Sequence, residues 1–152
     1  MRVGIRDLDA LAPELLGAAR ALCHTARATE LFARALAATD ECRGQVALAD
    51  DGSVAGVVLS GYVAGASGTG ALLWVAVQPR LRRRGIGRDL VARTLGDLDL
   101  GGVRLVVAEL AGDAGSGPIA ALLAASGFER EGAIADFYRD GVPLVIWRRR
   151  FR

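Results

Sequence analysis

The loop Arg82-Arg83-Arg84-Gly85-Ile86-Gly87-Arg88 stands between two apolar runs of different character. Before it comes Leu72-Leu73-Trp74-Val75-Ala76-Val77, a continuous run of strand length; after it comes Asp89-Leu90-Val91-Ala92-Arg93-Thr94-Leu95, which reads as helix. A strand, a glycine loop and a helix start in direct succession demand an α/β arrangement and create a place to hold phosphate. Backbone N–H groups at a helix N-terminus lack internal partners, and the helix dipole adds partial positive charge there. Glycine lets a diphosphate approach the backbone. Four arginines within seven residues add formal charge and forked donors.

Glycine spacing narrows the choice of nucleotide. A dinucleotide loop, G-x-G-x-x-G, would need its third glycine at Leu90. A nucleoside-triphosphate loop needs lysine after its last glycine, and the chain contains no lysine. What remains is Arg82-x-x-Gly85-x-Gly87, preceded by Val77-Gln78-Pro79. This resembles the acetyl-CoA loop of the GCN5-related N-acetyltransferase family, V-x-P-x-x-[RQ]-x-x-G-x-[GA]. A second stretch agrees with it in order and separation. Ala120 to Phe128, ending Ser126-Gly127-Phe128-Glu129, resembles the second cofactor helix of that family, where a tyrosine usually stands four residues before the Gly-Phe pair. Here that position is Leu123.

Composition sets the bounds. A chain of 152 residues, 52% of them hydrophobic, suits one domain with a real core and excludes disorder. A net charge of +2 gives no global case for nucleic acid, and the all-arginine basic set, with abundant Ala and Gly, reads as codon bias. Arg2, Arg6, Asp7 and Asp9 interrupt any leader-like apolar start. No window reaches the ~18 apolar residues of a membrane span. Cys23 and Cys42 do not make a disulfide framework. A cytoplasmic protein with reduced thiols and no membrane partner is the expectation.

Periodicity and turn signals predict strands over Val3–Arg6, Gln45–Ala49, Val54–Val63, Ala71–Val77, Val103–Leu110, Ile134–Tyr138 and Leu144–Trp147. Helices are predicted over Leu11–Cys23, over Glu30–Ala38 with Thr29 as cap, over Arg88–Leu98, and over Pro118–Ala125 closing at Gly127. Residues 65–70 read as a flexible linker. The order is β-α-α-β-β-β-α-β-α-β-β, with no internal repeat. It matches the acetyltransferase fold: a single α/β (α+β) domain over residues 1–152, with a mixed central sheet flanked by helices on both faces.

The resemblance implies direct transfer from acetyl-CoA to an amine acceptor. Backbone N–H groups from Arg83 to Arg88 are expected to cradle pyrophosphate, with Arg82, Gly85, Ile86 and Gly87 completing the loop. Guanidinium groups of Arg83, Arg84 and Arg88 are candidates for phosphate contact, a solvated charge being the plainer account of any one. Val75, Ala76 and Val77 are expected to pair with the pantetheine arm, a free N–H there serving the oxyanion. The incoming strand carries no acidic residue or histidine, so Glu109, at a strand end, is the candidate base. Leucine at 123 cannot donate a proton; Tyr138, in Asp136-Phe137-Tyr138-Arg139-Asp140-Gly141, is the candidate donor or acceptor-positioning group. Ser116 is a weaker substitute.

Other polar residues attract plainer readings. Tyr62 is a candidate lining residue of the acceptor groove or a half-buried strand residue. His24 lies in a segment, Ala21 to Glu30, expected to flank that groove; with Cys23 beside it, it makes no zinc site. The tail Arg148–Arg152 reads as a solvated chain end rather than a nucleic-acid surface. The apolar strand Leu144–Trp147 suits either a homodimer or the core. The rival to an enzyme is a non-catalytic CoA-binding module that senses or recruits.

Overall fold

A computed structural model describes residues 3–151 of the chain; Arg2 and Arg152 lie outside them. Seven strands form one sheet: β1 (Gly4–Asp7), β2 (Arg43–Leu48), β3 (Val54–Tyr62), β4 (Thr69–Val77), β5 (Leu105–Ala111), β6 (Glu129–Arg139) and β7 (Val142–Arg150). Four helices accompany it: α1 (Leu16–Ala21), α2 (Ala26–Ala35), α3 (Ile86–Leu100) and α4 (Gly117–Ala125). The chain order agrees with the order read from the sequence. Across the sheet the strands run β1-β2-β3-β4-β5-β7-β6. Every neighbouring pair is antiparallel except β4 and β5.

Two apolar layers sandwich the sheet. Helices α3 and α4 supply Ile86, Leu90, Val91, Leu95, Leu98 and Leu123 to one. Helices α1 and α2 supply Ala19, Leu22, Ala28, Leu31, Phe32 and Ala35 to the other. Covered on both faces, β3 is buried continuously from Val54 to Leu59, which is why its sequence does not alternate.

Helix boundaries depart from the periodic reading where local chemistry intervenes. The segment predicted as one helix from Leu11 opens with two 3₁₀ turns, Leu8–Ala10 and Pro13–Leu15, and becomes α-helical only at Leu16. Pro13 has no N–H to continue a helix begun before it. Helix α2 starts earlier than predicted, and its cap is Thr25, not Thr29: the Thr25 hydroxyl accepts from the Ala28 N–H at 3.0 Å. Thr29 lies inside the helix, its hydroxyl donating to the Cys23 and Thr25 carbonyls at 2.9 Å each. The helix ends at Ala35, and Ala38 takes a left-handed φ of 51°. Thr69 and Gly70, read as linker, belong to β4.

The C-terminal hairpin is longer than predicted. Arg148, Arg149 and Arg150 extend β7 and pair with Val107, Val106 and Leu105, so these arginines are strand residues rather than a solvated end. Arg148 pairs with Glu131, and the Arg149 guanidinium donates to Ser126 O at 3.0 Å. The apolar run Leu144–Trp147 lies between β5 and β6, with Leu144 and Val145 buried. Its apolarity is used within the sheet, and the sheet edge is β6.

Candidate active site

The sheet opens beside its one parallel pair. Only four residue pairs join β4 to β5: Thr69↔Leu105, Gly70↔Val106, Ala71↔Val107 and Leu72↔Ala108. Leu73 is the extra residue of a β-bulge, because Leu59 opposes Trp74 while the adjoining Ser60 opposes Leu72. A bulge bends its strand and ends regular pairing, and pairing with β5 ends there. Side-chain directions record the same event. Leu73 and Trp74 both face the α1/α2 layer, whereas Leu72, Val75 and Val77 face α3 and α4.

Past the bulge, β4 pairs on one side only. The Gln78 N–H bonds to Ala55 O at 2.8 Å. Alternation along an antiparallel ladder then turns the N–H and C=O groups of Val75 and Val77 away from β3 and into the opening, while those of Ala76 serve the ladder with β3. Arg82 closes one end of this gap, its Nε donating to Val77 O at 3.3 Å.

The loop leads directly from this gap into α3. Gly85 is the N-cap residue, with φ +80° and open space around the position of a Cβ; an L side chain there would strain the backbone. Arg83 also holds a positive φ, 63°. The first bond of the helix runs from the Asp89 N–H to Gly85 O at 3.0 Å, leaving the N–H groups of Ile86, Gly87 and Arg88 without helical partners. At Gly87 a Cβ would come within 3.2 Å of Leu122, so this glycine also lets α3 approach α4. Ile86 itself is buried in the core. Arg83, Arg84 and Arg88 are exposed and form no ion pair among the described residues. Free N–H donors, unneutralised guanidinium groups and an adjoining strip of unpaired strand fit a long, anionic, amide-bearing cosubstrate such as acetyl-CoA.

Glu109 is the first residue of β5 beyond the last β4–β5 pair. Val106, Ala108 and Leu110 pack on the α3/α4 side, so strand alternation turns Glu109 to the opposite face, the one Trp74 occupies. It is exposed. Tyr138 reaches this region from β6. Four residues, Ala135 to Tyr138, oppose Pro143 alone between the pairs Ile134↔Leu144 and Arg139↔Val142. Asp136 anchors the distortion: it has φ 56°, and its carboxylate accepts from the Gly141 N–H at 2.8 Å. The rings of Phe137 and Tyr138 meet edge to face at 5.1 Å.

Glu109 and Tyr138 are linked through charge. The Tyr138 phenol is pushed above the usual tyrosine value, first by partial burial, then by the negative charge of Glu109; the positive charge of Arg27 opposes this. Arg27 was not singled out in the sequence. It stands in the first turn of α2 and belongs to the segment expected to flank the groove. No local signal marks it among nineteen arginines.

The remaining candidates divide. His24 packs its ring edge-on against Trp74 at 5.3 Å, and the Trp74 indole N–H donates to Leu22 O at 3.2 Å. These contacts fix the α1–α2 connector over β4 at the bulge. Tyr62 is elsewhere. It pairs with Gly70 at the far end of β4 and packs into the α3/α4 layer with its hydroxyl against Gly101, at the C-terminus of α3. It does not line the opening. Leu123 is 1% exposed and is a core residue. Ser116 immediately precedes α4; its hydroxyl makes no cap bond, and its N–H donates to Asp113 Oδ1 at 3.1 Å. Cys23 is buried, which pushes its thiol from 9.0 to about 11, and Cys42 Sγ donates to Leu31 O at 3.3 Å; neither is prepared as a nucleophile. Among the described residues no group of acidic, His and Cys side chains could hold a metal ion, and no helix is long and apolar enough to cross a membrane.

Comparison with known proteins agrees with this geometry. The model of the acetyltransferase (GNAT) family matches residues 8–116, well over half of the chain. A crystal structure of a GNAT-family protein from Desulfovibrio desulfuricans is 28% identical and superposes with a TM-score of 0.86, over 98% of this chain and 99% of that one. A Bacillus subtilis acetyltransferase in complex with CoA is 16% identical, with a TM-score of 0.78 over 99% and 100% of the two chains. The ribosomal-protein-S18-alanine N-acetyltransferase of Escherichia coli is 20% identical, with a TM-score of 0.76 over 98% and 94%. At the last two identities the likeness is one of fold. No curated protein matches the chain significantly. A glycine loop at the start of α3, a sheet opened at a bulge and a family model across both make the chain a member of the GCN5-related N-acetyltransferase (GNAT) family, acetyltransferases whose cosubstrate is acetyl-CoA.

Proposed function

We propose that the protein transfers an acetyl group directly to a primary amine of a small molecule or peptide, with Glu109 as base and Tyr138 as proton donor to the departing sulfur. One observation carries this reading: Glu109 is the first residue past the β4–β5 seam, and its charge acts on the Tyr138 phenol. On this reading both groups serve the opening of the sheet.

The chain's own residues have distinct tasks. The N–H groups of Ile86, Gly87 and Arg88, with Arg83, Arg84 and Arg88, hold the diphosphate. Val75 and Val77 offer backbone partners to the pantetheine amides, and a backbone N–H of this strip faces the acyl oxygen as charge develops. Glu109 takes a proton from the acceptor ammonium, directly or through one water, which frees the nitrogen lone pair. Acetyl-CoA supplies the activated acyl group: the new C–N bond forms as the C–S bond breaks, and the sulfur leaves with the bonding electron pair. Tyr138, a phenol protonated at neutral pH, gives its proton to that sulfur and regains one from solvent. The second amine proton passes to water, so the balance is one amide, one thiol and one released proton.

Thermal unfolding with acetyl-CoA, CoA and ADP in parallel tests the binding half. Ligand at 100 times its dissociation constant adds ~2.7 kcal/mol, expected for both CoA species and not for ADP. Thiol release with an amine panel tests the chemical half. Glu109→Gln should lower kcat/KM by roughly 10²–10⁴-fold with the acetyl-CoA shift retained. No shift with either CoA species refutes the reading.

A further inference from the structure

Two opposite charges lie on the sheet face that carries Trp74, on different elements. Glu109 enters from β5, on the sheet face that carries Trp74. Arg27 enters from the first turn of α2, immediately after the connector that the Trp74–Leu22 bond and the His24–Trp74 contact fix at the bulge. Neither has an ion-pair or hydrogen-bond partner among the described residues, and they do not pair with each other. Tyr138 stands within reach of both charges. Both side chains are exposed and make no salt bridge. They are complementary to a ligand with the reverse pair of charges.

Resting on the transferase reading, we infer that the acceptor is a small amine that also carries a carboxylate, its ammonium held at Glu109 and its carboxylate at Arg27. Glu109 then binds the nitrogen it deprotonates, and Arg27 is a positioning residue that sets where the nitrogen lies. A single guanidinium offers the planar fork that matches a carboxylate and supplies one positive charge, suited to a monoanion. The site's two charges sum to zero, as do those of a zwitterion. The exposed Phe137 ring, in contact with Tyr138, gives the acceptor's apolar part a surface. A peptide N-terminus offers an amine with no carboxylate at short range and would leave Arg27 unmatched.

The experiment uses the full chain with saturating acetyl-CoA. Amino acids with graded amine–carboxylate separation are each paired with their carboxamide, and short peptides form a third arm. The best amino acid should exceed its own amide in kcat/KM by about tenfold or more, the size of one charge-assisted hydrogen bond. Arg27→Gln should erase that preference, raising KM for the acid more than it lowers kcat, and Arg27→Lys should restore part of it. The acetyl-CoA thermal shift reports that both variants are folded. Equal rates on acids and amides, turnover confined to peptides, or no turnover of any acid while acetyl-CoA still binds would each overturn the inference. Failure of the wild-type protein to bind acetyl-CoA would remove the transferase reading and this inference with it.

Discussion

Tyr138 carries the most information of any single residue in the site, because two neighbours of opposite sign act on it. Its phenol is raised by partial burial and by Glu109 and lowered by Arg27. Glu109→Gln should therefore move the Tyr138 titration down, and Arg27→Gln should move it up. Phenolate absorbance across the alkaline range measures both, with Tyr138→Phe identifying the Tyr138 component against Tyr62. Cys23 gives a second pH-dependent outcome. Its thiol lies at about 11 in the folded protein against an ordinary 9.0, so the folded state keeps a proton that the unfolded state releases between these values. The stabilisation is fully present below pH 9 and disappears as pH rises through about 11, an alkaline loss of ~2–3 kcal/mol. Cys23→Ala should flatten this decline in denaturant unfolding, leaving the smaller part due to Cys42, which burial also raises. Glu109 and Tyr138 could be named as candidates from the sequence because each sits beside a recognisable strand or turn signal. Arg27, proposed from the structure, has no such signal, since its place depends on where a distant connector is pinned.

At the scale of elements, the sequence revealed types and order, while boundaries were decided by single hydrogen bonds. Thr29 was the expected cap of α2, and Thr25 is the actual one. The choice rests on which hydroxyl meets an N–H three residues on, and that is Thr25. Thr25→Ala should cost about 1 kcal/mol in chemical unfolding. Its effect on Arg27, two residues later, should appear as a higher acceptor KM. The bulge at Leu73 was equally hidden. Ala71 to Val77 is apolar throughout, so no alternation marks the place where two successive residues share a face. The glycine loop was legible because its requirements are local: Gly85 needs a positive φ, and the helix that follows announces itself. The bond from the Gly141 N–H to the Asp136 carboxylate is equally local, its two ends lying five residues apart.

At the scale of the molecule, β1–β4 and β5–β7 meet at four residue pairs and nowhere else in the sheet. Strand order across that seam was not read from the sequence, since nothing local dictates that β7 should insert between β5 and β6. The proposed cosubstrate would lie in the opening against Val75 and Val77. Amide hydrogen exchange should accordingly slow at Val75 and Val77 when acetyl-CoA is added, while the N–H groups of β3, buried and already paired, should change little. A uniform slowing, or none at the seam, would count against pantetheine pairing there. On this reading the sheet encoded by the chain is deliberately short of backbone at its centre. The missing length is supplied by a metabolite, whose own amides complete the pattern for the lifetime of one complex. The protein would thus borrow part of its architecture from its substrate and return it, as a free thiol without its acetyl group, at every turnover.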